Sequence, residues 1–459
     1  MPDPVWLDSG KPRSLQSRFD IISAAPLQVL ETRAGITRSS GPNIRSSESR
    51  ENPFLLAQRL LDDMARQFVS KPADQPEHAP RLPFTGGLIG SFGYQLGNHA
   101  LAIVAPGSSP ATSSTSNHVV DFPDMRLGFY AWALIVNHQT RQAWLVFHPA
   151  CPADLKRDIH SLLDTRSTTH SNTSSHPSPG FHLTEHFQSS TSKSTYLDTV
   201  KRIKRYIRSG DCYQVNYAQH FSATYQGDPW LAYQDLRQVL PSPFSAYLEW
   251  DDKAILSLSP ERFLKVANGR VETKPIKGTI PRGQTVKEDE EAAITLLNSS
   301  KDRAENLMIV DLLRNDLGKA CRPGSIHVPK LFGLESFANV HHLVSTVTGQ
   351  LREEESSLSL LEHCFPGGSI TGAPKKRAME IIAELEAQNR ALYCGSIAYI
   401  STNGCMDSNI VIRSLLADGN RLHCWGGGGI VADSDPETEY QESITKVDIL
   451  LKALKQADS

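Results

Sequence analysis

The chain has 459 residues, and 47 Lys and Arg against 50 Asp and Glu leave a net charge of −3, so there is no basic surplus of the kind a non-specific nucleic-acid binder needs. No apolar run reaches the roughly 18–20 residues of a spanning helix, and the Met1–Trp6 start lacks the basic and apolar segments of a secretion signal. The 7 cysteines, odd in number and without a C-x-x-C pair, suit a reducing cytoplasm rather than a disulfide framework or a zinc site.

In chain order, Arg18–Val29 reads as a strand region and Pro53–Phe68 has helical periodicity. Phe84–Gly97 is rich in glycine and aromatics but lacks the G-x-G-x-x-G spacing of a dinucleotide loop. Ala105–His118 reads as a surface linker and Leu127–Phe147 as strands. Residues 166–194, rich in Ser, Thr, Pro and His, form a second linker that divides a region of 1–165 from one of 195–459. The second region opens on a helix at Thr195–Arg208, closed by Ser209-Gly210. Strands follow at Tyr213–Tyr225, Ala246–Trp250, Ala254–Leu258, Arg262–Ala267 and Arg270–Ile276. Helices are expected near Val286–Leu317, Leu358–Cys364, Lys375–Glu386 and Pro436–Lys455, with strands at Tyr393–Ser401, Asp407–Ala417 and Leu422–Trp425. Strand runs mixed with helix runs predict a mixed α/β (α+β) fold with much antiparallel sheet.

Two helices carry acid where apolar residues are expected. In Ser299–Leu317, with Ser299 as N-cap, the residues Asp302, Glu305, Ile309 and Leu313 share a stripe. In Pro436–Lys455, Glu439, Glu442 and Lys446 share a face with Ile449, Leu450 and Ala453. Acids also favour helix N-termini because the dipole stabilises them. If the four carboxylates converge, an all-oxygen donor set fits a hard cation such as Mg2+.

Asn268-Gly269 between Phe263 and Ile276 signals a hairpin. A two-residue loop puts Glu261 opposite Ile276 and leaves Lys277 on the other face. A three-residue loop with a bulge brings Lys277 diagonally across onto the face of Glu261. Only the second register makes a carboxylate–amine pair, and a lysine with its pKa depressed by burial can act as a nucleophile. The tetraglycine Gly426–Gly429 exposes backbone N–H groups that can wrap a carboxylate, or else allows a close backbone approach. Phe365–Lys375 is a Gly/Ser/Thr loop leading into a helix. At most one of His341 and His342 enters any site, since neighbours on a strand face opposite ways. Arg413, read in a strand, suits a carboxylate.

PIKGTIPRG, KDRAENLMIVDLLRNDLG, FANVHHLVSTV, FPGGSITGAPKKRAMEII, CGSIAYIS and GGGIVADSDPETEYQESITKV, taken together, resemble the chorismate-utilising enzymes from Tyr196 to Leu454. The likeness is looser over Leu82–Val136. It implies an anthranilate synthase component I-like fold, large antiparallel sheets flanked by helices, around a Mg2+-dependent chorismate site. Glu305 and Glu442 match the direct Mg2+ ligands, and Glu439 and Asp302 the outer acids. Arg413, Tyr393, the amides of Gly427, Gly428 and Gly429, and Lys446 match the grip on the enolpyruvyl carboxylate. His342 matches the histidine beside the ring, and Ser369 and Thr371 the polar loop. Gln214 stands where water-using members carry a lysine base, which implies an amine nucleophile.

Lys277 stands where the anthranilate-forming members carry alanine. The resemblance then implies covalent attack by Lys277, Glu261 as acid, and delivery of ammonia to C4, giving 4-amino-4-deoxychorismate for 4-aminobenzoate and folate. The alternative is the anthranilate-forming large subunit of tryptophan biosynthesis. Nothing in the sequence resembles an amidotransferase nucleophile elbow, so ammonia is expected from a separate glutamine amidotransferase subunit in a heterodimer. The likeness also suggests bound tryptophan near Ser17, Arg18, Phe19, Pro243 and Phe244. Nucleic acid and membrane are not expected partners.

Overall fold

A computed structural model describes residues 1–10, 18–67, 82–103, 120–168, 180–337 and 340–456. Ala105–His118 lies outside them, as does the 169–179 part of the second linker. Two large antiparallel sheets, each of 12 strands among the described residues, carry the helices. In the first sheet the order runs from Gln214–Gln226 through Arg421–Ile430, Ser414–Asp418, Lys253–Ser259, Phe244–Trp250, Val5–Asp8, Phe19–Ser23 and Trp132–Asn137 to Gln142–Phe147. In the second it runs from Ile276–Pro281 through Val340–Gln350, Arg270–Thr273, Arg262–Ala267, Met406–Asn409, Ser396–Ser401 and Gly87–Phe92 to Met125–Tyr130 and Gln28–Arg33. Both sheets therefore interleave strands from either side of residues 166–194. Among the described residues no helix is long and apolar enough to cross a membrane.

Local chemistry explains the elements that frame the site. The helix Lys193–Arg208 starts where the Ser192 side chain accepts from the Thr195 amide, and it buries Tyr196, Thr199, Val200 and Ile203, the spacing of one helical face. The expected single helix over Val286–Leu317 is two, Val286–Asn298 and Ser300–Gly318. The reason is Ser299, whose extended backbone ends the first while its side chain caps the second by accepting from the Asp302 amide. The tetraglycine is not a loop: Gly426–Gly429 lies inside the strand Arg421–Ile430. A Cβ at Gly426 would stand 2.3 Å from the Ser443 carbonyl of the helix Pro436–Gln456, and one at Gly427 2.4 Å from the Tyr217 carbonyl. Glycine lets helix and strands close on each other there.

Two of the places where the chain passes from one sheet to the other lie side by side. Pro260 and Glu261 carry it from Lys253–Ser259 in the first sheet to Arg262–Ala267 in the second, and residues 410–413 carry it back. The two crossovers are tied together, the Ile410 amide donating to the Glu261 carbonyl and the Ser259 hydroxyl to the Ile410 carbonyl at 2.5 Å.

Candidate active site

Glu261 and Lys277 are brought together, but not by the hairpin register expected. Lys265 pairs Glu272 and Ala267 pairs Arg270, so the loop is the two residues Asn268 and Gly269. Their φ values of 52° and 73° fit the primed turn that a two-residue hairpin needs. The displacement comes later: Ile276–Pro281 pairs with Val340–Gln350, and its register shifts by one residue between Ile276 and Thr279. This bulge holds Lys277 and Gly278, with Gly278 at φ 79°, and bulges re-aim side chains in this way. The Lys277 ammonium donates to the Ser369 carbonyl at 3.4 Å, while the Ser369 hydroxyl donates to Glu261 Oε1 at 2.9 Å. One serine thus bridges both groups.

Burial sets their ionisation. It pushes the Glu261 carboxyl up to about 7, against the opposing pull of the Ser369 hydroxyl, the Lys277 ammonium, the Ile276 amide and Arg413. It holds the Lys277 amine below the usual lysine range despite Glu305 and Glu261 nearby. His342, buried on the neighbouring strand, shares a 2.7 Å hydrogen bond through Nδ1 with the Thr279 hydroxyl. Burial lowers it to about 4, so the ring is neutral near pH 7, and a hydrogen bond with the Gly278 backbone ties it to the bulge. His341 turns away, to the Ser336 hydroxyl and Asp289.

The second crossover supplies Arg413. It is not in a strand: it sits at φ 51° just before Ser414–Asp418, because the chain is changing sheets there. Among the described residues its guanidinium makes no hydrogen bond or ion pair. Burial lowers its pKa, and Glu261 is its charged neighbour. Tyr393 is buried, its ring stacked on Trp425 at 6.1 Å. Gln214 is fully buried with both side-chain amide atoms lacking a partner, as is the Asn216 Oδ1 two residues on. A Cβ at Gly429 would lie 3.0 Å from the Gln214 side chain. The Thr371 hydroxyl donates to the Gly367 carbonyl at 3.0 Å, shaping the loop that carries Ser369.

The acids gather between the starts of two helices. A Cβ at Gly278 would meet the Asp302 carboxyl carbon at 2.9 Å, which puts the Lys277 bulge against the first turn of Ser300–Gly318. A Cβ at Gly428 would lie 3.1 Å from Glu439 Oε2, 3.6 Å from Glu442 Oε1 and 3.7 Å from the Lys446 ammonium. Burial raises the Glu305 carboxyl, with Asp302 and Glu442 adding to the effect while Lys277 and Lys301 oppose it. Burial likewise raises Glu439, although Ser434 donates to it at 2.6 Å. At Glu442 burial also pushes upward, but the Lys446 ammonium 2.7 Å away helps to outweigh it and the carboxyl lies below its usual value. Lys446 donates to the Gly427 carbonyl as well, at 2.8 Å. Glu442 is half-exposed and Ile449 is exposed, so the apolar face of this helix runs through Val447, Leu450, Ala453 and Leu454 instead. Among the described residues no group of three acid, histidine or cysteine side chains is close enough to hold a metal ion unaided.

A separate cavity of about 380 Å3 between the sheets is lined by Arg18, Phe19, Pro243 and Phe244, along with Asp8, Ser9 and Arg262. Ser17 lies outside the described residues. Arg390, which no motif marked, is the largest fully buried side chain among the described residues. A single arginine in an unpatterned stretch, Gln388-Asn389-Arg390-Ala391, carries no signal of burial.

With this geometry in hand, the class is defined: the chain belongs to the chorismate binding enzymes, whose family profile matches residues 20–452. Among curated relatives, aminodeoxychorismate synthase component 1 of Escherichia coli strain K12 is 44% identical over 99% of this chain and 94% of its own length. Anthranilate synthase component 1 of Aquifex aeolicus strain VF5 is 37% identical over 87% of this chain and 79% of its own. Among solved structures, anthranilate synthase component I from Streptococcus pneumoniae TIGR4 superposes with a TM-score of 0.78 at 29% identity, covering 96% of this chain and 93% of that one.

Proposed function

We propose that the chain is the chorismate-converting component of an aminodeoxychorismate synthase, replacing the C4 hydroxyl of chorismate with ammonia to give 4-amino-4-deoxychorismate for 4-aminobenzoate and folate. The observation that carries this reading is the part-buried lysine and the buried carboxyl bridged by Ser369. The neutral Lys277 amine bonds to C2, the ring double bonds shift, and the C4–O bond breaks as Glu261 gives its proton to the departing hydroxyl. A pKa of about 7 keeps part of Glu261 protonated at neutral pH. Ammonia then bonds to C4, the double bonds shift back, Lys277 leaves as the neutral amine, and the Glu261 carboxylate takes the proton that the new ammonium sheds. The sum is chorismate plus ammonia giving product plus water.

The free guanidinium of Arg413, with Tyr393, the Gly427–Gly429 amides and Lys446, suits the enolpyruvyl carboxylate, since a partly desolvated cation favours an anionic partner. Neutral His342 stands beside the ring, with Thr371 shaping the adjoining loop. Gln214 offers an uncharged donor and acceptor to the incoming ammonia rather than a base for water. Neighbouring carboxylates that push Glu305 and Glu439 up, all with oxygen donors, fit a hard divalent ion: Glu305 and Glu442 would hold Mg2+ directly, and Glu439 and Asp302 through water. Bound there, the ion would neutralise the ring carboxylate. The ammonia comes from a separate glutamine amidotransferase, in keeping with the component 1 names of the relatives. The cavity at Arg18, Phe19, Pro243 and Phe244 is of a size to take an aromatic amino acid such as tryptophan, and the setting is the cytoplasm.

The test uses the purified chain with chorismate, Mg2+ and an ammonium salt at mildly alkaline pH. Formation of 4-aminobenzoate only after an aminodeoxychorismate lyase is added supports the reading. Anthranilate fluorescence without lyase overturns it in favour of the anthranilate-forming branch.

A further inference from the structure

Arg390 is 1% exposed, and an ionised side chain that deep is stable only if its donors are used. They are. Its Nε and Nη2 form a fork on the Glu386 carboxylate at 2.8 and 2.7 Å, Nη1 donates to the Ile370 carbonyl at 3.0 Å, and Nη2 donates to the Asn216 carbonyl at 2.7 Å. The guanidinium also lies over the rings of Tyr94 and Tyr393, 4.6 and 5.8 Å from their centroids. Glu386 in turn accepts from the Ala218 amide at 2.9 Å.

These partners are the supports of the candidate active site. Ile370 stands between Ser369, which contacts both Lys277 and Glu261, and Thr371. Asn216 and Ala218 belong to the strand that carries Gln214, and the Asn216 amide donates to the Thr371 carbonyl at 2.8 Å. The polar loop and the strand therefore meet at one guanidinium. Lysine has a single point charge and cannot reproduce the planar fork together with two carbonyl bonds.

We propose that Arg390 is a positioning residue for the reaction, fixing the loop around Ile370 so that Ser369 holds Lys277 and Glu261 in register. This rests on the functional reading above, and the experiment separates the two.

Hydrogen exchange by mass spectrometry is compared for the full-length wild type and Arg390→Lys, alongside steady-state kinetics of both, of Ser369→Ala and of the double variant. Expected is faster exchange confined to residues 366–373 and 214–218, with the core strands 244–259 unchanged. The kcat should fall at least about tenfold with KM for chorismate within about threefold, and the double variant should lose no more than the worse single one, as for two residues acting in series. Exchange that rises everywhere or nowhere, or losses in kcat that multiply, overturns the proposal by making Arg390 a general stabiliser or an independent contributor. If the wild type leaves chorismate untouched, the functional reading fails, and the exchange pattern alone decides whether Arg390 fixes the loop. Should Arg390→Lys not fold, the neutral pair Arg390→Gln with Glu386→Gln leaves no unpaired carboxylate and is read in the same two ways.

Discussion

Glu261 and Lys277 carry opposite charges when ionised, and burial drives both toward neutrality. That shared direction makes a nucleophile of one and an acid of the other. Replacing Lys277 with Ala should remove any covalent adduct in the mass spectrum of enzyme quenched with chorismate, and lower kcat by at least about 100-fold. Retained turnover at the wild-type rate would rule out the covalent route. Glu261→Gln should lower kcat by roughly 10²–10⁴-fold, and its pH dependence has a definite sign. The carboxyl is raised from 4.5 to about 7, so the folded state keeps a proton that the unfolded chain has released. Stability is therefore fullest below 4.5 and erodes as pH rises to about 7, by up to roughly 3 kcal/mol. Urea melts should show Glu261→Gln gaining on the wild type between pH 5 and pH 8, and an unchanged difference would contradict the burial argument. The residue types here were legible in sequence. Of the two hairpin registers the pattern allows, only the three-residue turn would pair them, whereas the loop has two residues and a bulge at Lys277-Gly278 achieves it; a one-residue slip in a ladder leaves no local signature.

The two acidic helices show what a helix-scale reading gives and where it stops. Ser299 declared itself as a cap, and the Asp302, Glu305, Ile309 and Leu313 stripe follows from spacing. In the second helix Leu450 and Ala453 are buried as their spacing predicts, but Val447 takes the buried place expected for Ile449, which is exposed. Nothing local says that the two first turns face each other, because that depends on Gly278 and Gly428 leaving room where a Cβ would stand only 2.9 Å from Asp302 and 3.1 Å from Glu439. If the turns share a divalent ion, Mg2+ should raise the melting temperature, since a ligand at 100 times its Kd stabilises by about 2.7 kcal/mol. Glu305→Ala and Glu442→Ala should each remove most of that increment, read by calorimetry with and without chelator. An increment that survives both substitutions would move the ion elsewhere.

At the scale of the whole molecule, the sequence divided cleanly at residues 166–194, yet the sheets do not divide there. Val5–Asp8 pairs with Phe244–Trp250, from Val5 against Leu248 to Asp8 against Ser245, in the first sheet. Gly87–Phe92 pairs with Ser396–Ser401 in the second. Such pairings join residues hundreds of positions apart, and strand-like patterning carries no record of its partner. Antiparallel strands mixed with helices were legible; their order was not. The consequence is testable by expressing 1–165 and 195–459 as separate chains. Each alone would present open ladder edges within a hydrophobic core, so each should aggregate or lack cooperative melting. Expressed together they should co-purify, melt as one unit and convert chorismate. If 195–459 alone is monomeric, melts cooperatively and turns over chorismate, the N-terminal strands are accessory to a catalytic unit that stands by itself, and the interleaving contributes little to the crossovers that hold Glu261 and Arg413.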